Sequence, residues 1–176
     1  MNITVYCGSK TGRDPAYTEA AAALGQWICS RGYDMVYGGG NIGLMSVTAD
    51  IVLAGGRAVT GVIPEFLLQY ETGHEGRYTL EVTRDMSQRK NRMLELGDVY
   101  LAMPGGTGTL EEIAEAISLQ KLGRHEKPCI FYNINGFFDP LKQMFTSMVN
   151  EGFLRPEDQE NILFARSIEE LDELLP

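Results

Sequence analysis

Cysteine, basic residues and long apolar runs are all scarce in this sequence. The three cysteines, Cys7, Cys29 and Cys129, are an odd number without metal-ligand spacing, so neither a disulfide framework nor a metal site is predicted. The first residues lack the basic and apolar segments of a signal peptide, and no apolar run approaches the roughly 20 residues that cross a bilayer. We therefore expect a protein of the reducing cytoplasm with no membrane partner.

Positive charge is in the minority. The chain has 15 Lys and Arg residues against 24 Asp and Glu residues, a net charge of −9. A general nucleic-acid binder needs a broad basic surface, so nucleic acid is not expected as a partner and any phosphate site must be local. With 176 residues, of which 44% are hydrophobic, the chain can bury one core, and a single domain over residues 1–176 is predicted.

What the sequence does contain is a regular alternation of short apolar runs and helical patterns. The runs predict strands at residues 3–7, 35–37, 58–63, 99–103 and 129–132. Apolar residues at helical spacing predict helices at residues 15–30, 44–54, 84–96 and 110–122. This order is typical of a doubly wound, mostly parallel α/β sheet of Rossmann-like type with helices on both faces. Such a sheet binds ligands beyond the carboxyl ends of its strands.

Three glycine-rich loops follow predicted strands and should meet at that edge of the sheet. They are Gly8-Ser9, Gly38-Gly39-Gly40 and Gly105-Gly106-Thr107-Gly108-Thr109. Glycine lets the backbone approach a ligand closely, and amides at a helix N-terminus bind anions, so the loops predict a phosphate-binding site. A triple glycine alone predicts a tight turn equally well. The spacing matches neither the dinucleotide fingerprint nor the P-loop, which favours a nucleoside monophosphate over NAD or a triphosphate.

Two cations lie on an apolar helix face in the same part of the chain. Helical spacing places Arg89 and Lys90 on this face, where a buried cation needs an anion from a ligand or from the protein. A bound phosphate would satisfy that need, with Lys90 joining the loop residues in binding substrate. A structural ion pair with Glu112 or Asp98 would satisfy it too. Arg92, further round the helix, is expected to be solvated.

Glu112 also has two interpretations. Near the start of its helix, its carboxylate would lie beside the glycine-rich loop, where a bound sugar phosphate would place its ribose. Thr109-x-x-Glu112 equally matches a capping box, which stabilises a helix start without any ligand. The residues alone favour neither.

The residues around these loops resemble the LONELY GUY family. Residues 104–112 match its P-G-G-x-G-T-x-x-E motif, and residues 86–90 and 37–45 are similar to its M-x-x-R-K and Y-G-G-G-x-x-G-L-M segments. The resemblance implies a phosphoribohydrolase acting on cytokinin riboside 5′-monophosphates or AMP, with Arg89 and Glu112 as the catalytic pair and residues 105–109 holding the 5′-phosphate. It also implies a homodimer. Ser87-Gln88 stands where the family frequently has His-Glu, which leaves base preference open.

Members of this family often carry the name lysine decarboxylase. A pyridoxal-phosphate decarboxylase needs a Schiff-base lysine and an acidic partner for the pyridinium nitrogen, and the sequence offers no such constellation, so no cofactor is predicted. Cleavage of a glycosidic bond instead builds oxocarbenium character on the ribose. Glu112 would stabilise that charge while Arg89 binds polar atoms of the substrate. The alternative is a carrier that binds a nucleotide or phosphorylated cofactor without chemistry.

Two features remain outside this site. His74 and His125 lie in polar surroundings and are expected to be solvated. Ser167-x-x-Glu170 matches a capping box and predicts a closing helix with no assigned function.

Overall fold

The computed structural model describes residues 1–70 and 76–175 and places strands and helices in alternation. The strands are β1 (Asn2–Tyr6), β2 (Asp34–Tyr37), β3 (Val59–Pro64), β4 (Tyr78–Thr83), β5 (Val99–Ala102), β6 (Cys129–Tyr132) and β7 (Ile162–Ala165). The helices are α1 (Ala16–Ser30), α2 (Gly43–Ala54), α3 (Met86–Leu96), α4 (Thr107–Lys121), α5 (Asp139–Asn150), α6 (Pro156–Glu160) and α7 (Ile168–Glu173). Short 3-10 helices at Glu65–Tyr70 and Ile134–Gly136 follow β3 and β6.

The strands form one parallel sheet in the order β4-β3-β2-β1-β5-β6-β7. The central strand β1 pairs with β2 through Ile3 and Met35 and with β5 through Ile3 and Val99. The chain first builds outward from β1 to β4 and then returns to lay β5 on the other side of β1. The order therefore reverses between β1 and β5, which is where a doubly wound sheet binds its ligands.

Helices cover both faces of the sheet. In β1, Val5 belongs to a core with α1, α2 and α7, whereas Tyr6 belongs to a second core with α3, α4 and α5. The central strands are buried on both sides, which explains why they read as continuous apolar runs rather than as alternating patterns. The predicted doubly wound α/β architecture is confirmed.

Side-chain caps fix the start of two helices. Asp85 accepts a hydrogen bond from the Gln88 amide (2.8 Å) at the start of α3. Ser167 accepts one from the Glu170 amide (3.2 Å), so the predicted closing helix α7 is present and capped. The Glu170 carboxylate accepts a hydrogen bond from the Arg166 amide (2.7 Å). In a capping box it would accept this bond from the Ser167 amide instead.

Four elements lie where the sequence patterns predicted none. The edge strand β4 is only half buried and carries Glu81 and Thr79, so it shows no apolar run. The other edge strand, β7, lies in the acidic C-terminal segment, residues 157–176. Helix α5 has no fully buried residue. The short helix α6 also lies in that acidic segment. Edge and surface elements have weak patterns because only part of each is buried.

The remaining expectations concern the histidines and the membrane. His125 is not solvated: its Nε2 lies 2.9 Å from the Ala116 carbonyl, and burial lowers its pKa. His74 lies outside the described residues. Within residues 1–70 and 76–175, each helix is too short or too polar to cross a bilayer.

Candidate active site

The loops after β1 and β5 meet at the point where the strand order reverses. The Gly8 amide donates to the Pro104 carbonyl (3.1 Å), and the Leu44 amide at the start of α2 donates to the Gly8 carbonyl (3.1 Å). A β-carbon on Gly8 would lie 3.3 Å from the Gly105 α-carbon. These two glycines therefore let two loops pack together above the carboxyl ends of β1 and β5.

Helix α4 begins with unoccupied amides that face this region. Gly106 is its N-cap, in an extended conformation without a side-chain cap, and the first intrahelical bond runs from Leu110 to the Gly106 carbonyl (3.2 Å). The amides of Thr107, Gly108 and Thr109 precede that bond, and the positive end of the helix dipole adds to them. This is the arrangement that binds a phosphate.

The start of α4 also corrects one interpretation of Glu112. The helix begins at Thr107 rather than at residue 109 or 110, so Thr109 lies within the first turn and is not the N-cap. The capping box of Thr109 and Glu112 is therefore wrong. Gly106 can begin the helix because glycine adopts the extended N-cap conformation readily and leaves the space before the amides open.

A buried ion pair joins α3 to α4. Arg89 Nη1 lies 2.6 Å from Glu112 Oε1, and both side chains are 9% exposed. Arg89 Nε donates to the Val62 carbonyl at the end of β3 (3.0 Å). A hydrogen bond also joins α3 to β1, because the Thr4 hydroxyl donates to the Met93 carbonyl (3.2 Å). The structural ion pair, one of the two alternatives for Arg89, is thus present.

The electrostatics of the pair are set by burial. Burial raises the pKa of Glu112, and the charge and hydrogen bond of Arg89 oppose that rise. The same carboxylate, together with burial, raises the pKa of Cys7 and of Tyr6. Ionisation of the thiol and the phenol is therefore disfavoured beside Glu112, and Glu112 is the acidic group in contact with Arg89.

The ion pair and the amides of α4 line one cleft of about 330 Å³. Its polar wall consists of the Arg89–Glu112 pair and the first turn of α4. Its apolar wall consists of Met45 of α2, Leu67 of the first 3-10 helix and Met86 of α3. The cleft thus offers an anion site, a buried carboxylate and an apolar surface within the reach of one small molecule.

A second cavity of about 360 Å³ adjoins the cleft on the side of α1. It shares Gly8, Ser9 and Gly106 with the cleft. Its outer wall contains Tyr17 and Phe137, whose rings meet edge to face with centroids 5.9 Å apart.

Most of the predicted site residues come together in the cleft. It is lined by Gly8, Ser9, Gly38, Arg89, Gly106, Thr107, Gly108, Thr109 and Glu112. Gly105 lines the adjoining cavity, and Gly39 and Gly40 line neither. Lys90 also lines neither, because its Nζ lies 2.7 Å from Glu111 and 3.0 Å from Glu115.

The apolar lining residues were not predicted as site residues. Met45 and Met86 were visible within the quoted motifs, but a methionine at helical spacing predicts core packing in the first instance. Leu67 lies in a 3-10 helix whose residues show no periodic apolar pattern. Phe137 follows β6 and could have been found, since every loop at the carboxyl ends of the strands faces this edge.

Arg92 lies away from the cleft, as expected, but it is not simply solvated. Its guanidinium forms a two-pronged contact with Glu81 (2.6 and 3.1 Å) and a further contact with Glu95 (3.1 Å). This cluster ties α3 to the edge strand β4, so its role is structural.

This chain is similar in sequence to a known protein family. A family model described as possible lysine decarboxylase matches residues 45–175. The cytokinin riboside 5′-monophosphate phosphoribohydrolase LOG of Oryza sativa subsp. japonica is 42% identical over 169 residues, which cover 96% of this chain and 70% of that protein. The cytokinin riboside 5′-monophosphate phosphoribohydrolase of Rhodococcoides fascians is 40% identical over 169 residues, covering 96% of this chain and 85% of that protein.

A solved structure extends the comparison to the fold. The molybdenum cofactor binding protein from the phototrophic bacterium Rippkaea orientalis superposes with a TM-score of 0.73 at 26% identity, covering 98% of this chain and 93% of that one. The two phosphoribohydrolases match nearly the whole chain. The chain therefore belongs to the possible lysine decarboxylase family, in its LONELY GUY branch.

Proposed function

We propose that the cleft hydrolyses the N-glycosidic bond of purine-type nucleoside 5′-monophosphates. The substrates are cytokinin riboside 5′-monophosphates, AMP or both, and the products are the free base and ribose 5-phosphate. Two relatives at 40–42% identity carry the name of this activity. The observation that carries the proposal is the buried Arg89–Glu112 pair in the same cleft as the uncapped amides of α4.

The 5′-phosphate binds at the start of α4 in this proposal. The amides of Thr107, Gly108 and Thr109 provide donors, and the helix dipole favours a dianion. The chain carries a net charge of −9, so the protein as a whole repels the substrate and the affinity for phosphate must come from these local groups. The ribose then lies beside the first turns of α4, next to Glu112.

The reaction replaces the bond from C1′ to the base nitrogen with a bond from C1′ to a water oxygen. As the base leaves, positive charge develops on C1′ and the ring oxygen, and the Glu112 carboxylate stabilises that charge and orients the water. One water proton ends on the departing base. Burial raises the pKa of the Glu112 carboxyl group, and the charge and hydrogen bond of Arg89 oppose that rise and favour the anion.

The apolar wall suits the leaving group. Met45, Leu67 and Met86 form an apolar part of the cleft lining. A purine-type base presents a flat, largely apolar face, and methionine side chains contact aromatic rings favourably. This wall supports a base or substituted base rather than a second sugar or phosphate at that end of the cleft.

The name of the family model does not describe the chemistry that this site supports. A pyridoxal-phosphate decarboxylase holds its cofactor on a lysine as a Schiff base. Lys90 is the lysine nearest to the catalytic motifs, and its ammonium group is held by Glu111 and Glu115. Its pKa is raised by these contacts, which is the opposite of what an amine nucleophile needs.

A carrier function is the second candidate, because a structural relative at 26% identity is named a molybdenum cofactor binding protein. Incubation of the protein with a panel of nucleoside 5′-monophosphates, followed by chromatography, separates the two functions. The hydrolase releases free base and an equal amount of ribose 5-phosphate. A carrier returns every nucleotide intact, and that result would reject the proposal.

We also propose that the protein is a homodimer in the cytoplasm. Met93 is fully buried, and Met45 and Met86 line the cleft, so these methionines do not support a dimer surface. Better support comes from apolar side chains that remain exposed beside the site, Leu110 on α4 and Phe137 after β6. The thiols of all three cysteines are free, which suits a reducing compartment.

A further inference from the structure

The guanidinium of Arg89 is confined on three sides. Its Nε donates to the Val62 carbonyl (3.0 Å), and its Nη1 donates to Glu112 (2.6 Å). On the third side, its Nη2 occupies the space that a β-carbon on Gly38 would fill. Any residue larger than glycine at position 38 would overlap this nitrogen.

Backbone conformation does not explain why position 38 is glycine. Gly39, the next residue, has a φ of +75°, a value that other residues rarely adopt. Gly38 is not among the glycines with positive φ, so an alanine could adopt its backbone conformation. The requirement at position 38 is space for the guanidinium.

We propose that Gly38 is a positioning residue whose missing side chain forms a slot for Arg89. The slot has the Gly38 α-carbon on one side and the Val62 carbonyl on the other, and it holds the guanidinium against Glu112 within the cleft. The loop after β2 thus positions the ion pair, whereas the loop after β5 binds the phosphate. The effect on catalysis rests on the proposed function, while the slot itself rests on geometry alone.

An alanine at position 38 should displace the side chain of Arg89 rather than the backbone. The overlapping atom is the far end of a long, flexible side chain, which can move without a shift of the backbone but then gives up its contacts with Val62 and Glu112. Once the guanidinium moves, Glu112 loses the contact that opposes the effect of burial on its charge. The fold therefore survives while the buried carboxylate loses its partner.

The catalytic test compares Gly38→Ala with Gly55→Ala. Both substitutions add one methyl group that meets a side chain at a position without positive φ, but Gly55 lies at the far end of α2, where the methyl group would meet Cys29. We expect Gly38→Ala to lower kcat for AMP by about 10²-fold, with KM nearly unchanged because the phosphate site is intact. The midpoint of the acid limb of its kcat/KM against pH should move to higher pH, because Glu112 loses the contact with Arg89 that opposes the rise of its pKa. Gly55→Ala should lower the melting temperature and leave kcat and the pH profile unchanged.

A stability cycle tests the slot without measuring activity. We would introduce Gly38→Ala into the wild type and into an Arg89→Ala/Glu112→Gln background, which removes both charges of the pair. The melting temperature should fall by several degrees in the wild type and should not fall in the background, because the overlapping nitrogen is gone. Gly40→Ala is the control, because its β-carbon would meet the Met45 methyl group rather than Arg89. Its effect on the melting temperature should therefore be equal in the wild type and in the double-variant background.

Two results would overturn the proposal. One is a Gly38→Ala protein with unchanged kcat and pH profile. The other is an equal loss of melting temperature for Gly38→Ala in both backgrounds, which would place the overlap elsewhere than at Arg89. If the wild type releases no base from any nucleotide, the proposed function fails, and the stability cycle alone decides whether the slot exists.

Discussion

Glu112→Gln separates a catalytic carboxylate from a structural one. Glutamine has nearly the same shape and keeps an oxygen that can accept the hydrogen bond from Arg89, but it carries no negative charge. Because Glu112 is not part of a capping box, the substitution leaves the start of α4 unchanged. Its effect on stability must therefore come through the ion pair, and its effect on turnover through the lost charge.

The structure bounds the loss of stability. A hydrogen bond between charged partners contributes about 1.5–3 kcal/mol, and glutamine keeps a weaker neutral version of it. Burial raises the pKa of Glu112 despite Arg89, so glutamine removes a desolvation cost, but it also leaves the buried Arg89 cation without its anionic partner, and these two effects oppose each other. We expect a net loss of about 2 kcal/mol, which lowers the melting temperature of a chain of this size by about 4–8 °C.

The loss of turnover should be much larger than this change can explain. Removing one preorganised electrostatic contact costs about 10²–10³ in kcat, or about 3–4 kcal/mol of barrier. A domain that begins with at least about 5 kcal/mol of stability and loses about 2 kcal/mol remains more than about 99% folded. Unfolding therefore cannot account for a hundredfold loss of activity at 25 °C.

Glu111→Gln is the matched control. It lies on the same helix, one residue before Glu112, and loses the same charge, but its side chain is 58% exposed and contacts Lys90 rather than Arg89. Base release from AMP would be measured by chromatography for both variants, alongside thermal melting and AMP affinity. We expect Glu111→Gln to keep near-normal kcat, and Glu112→Gln to lose turnover while still binding AMP.

The catalytic assignment of Glu112 would be wrong if Glu112→Gln kept near-normal kcat. It would also be wrong if activity fell only in proportion to the unfolded fraction, or if the two variants lost activity equally.

Three further predictions follow from the same site. The 5′-phosphate is required: kcat/KM for AMP should exceed that for adenosine by at least about 10²-fold, because adenosine offers nothing to the α4 amides, and similar values for the two would reject phosphate recognition. Activity requires ionised Glu112, whose pKa is raised above the ordinary value of 4.5; the acid limb of kcat/KM against pH should therefore have its midpoint above 4.5, and a midpoint at or below it would assign the limb to another group. We expect the proposed homodimer to give twice the 19.5 kDa chain mass in light scattering at micromolar concentration, whereas a monomer at 19.5 kDa would refute the assembly.

The elements that build the site were predictable from the sequence, and the reason is burial. β1 and β5 are covered on both faces and read as apolar runs, so their glycine-rich loops could be placed at one edge of the sheet. The edge strand β4 and the surface helix α5 are only partly covered and gave no comparable pattern. The prediction was thus best at the centre of the sheet, where the candidate site lies.

The interactions of the charged residues were harder to predict. Arg89 and Lys90 share one predicted face, yet Arg89 turns to Glu112 and Lys90 turns to Glu111 and Glu115. Adjacent residues on a helix point about 100° apart, so a shared face is only approximate, and the choice of partner depends on the exact position of α4. That position depends on where α4 begins, and the Thr109 capping pattern indicated a start three residues too late.

Stability alone does not explain why the Arg89–Glu112 pair lies where it does. Removing two charges from water costs several kcal/mol, and apolar residues of similar volume in place of a buried pair are often neutral or stabilising. The pKa of Glu112 shows the same imbalance, because the attraction of Arg89 does not fully offset the effect of burial. A fold that needed only cohesion between α3 and α4 could obtain it from apolar contacts such as those of Met93. The pair instead lies in a cleft wall beside an anion site, where a preorganised carboxylate can stabilise positive charge on a substrate, and this advantage offsets its cost to the fold.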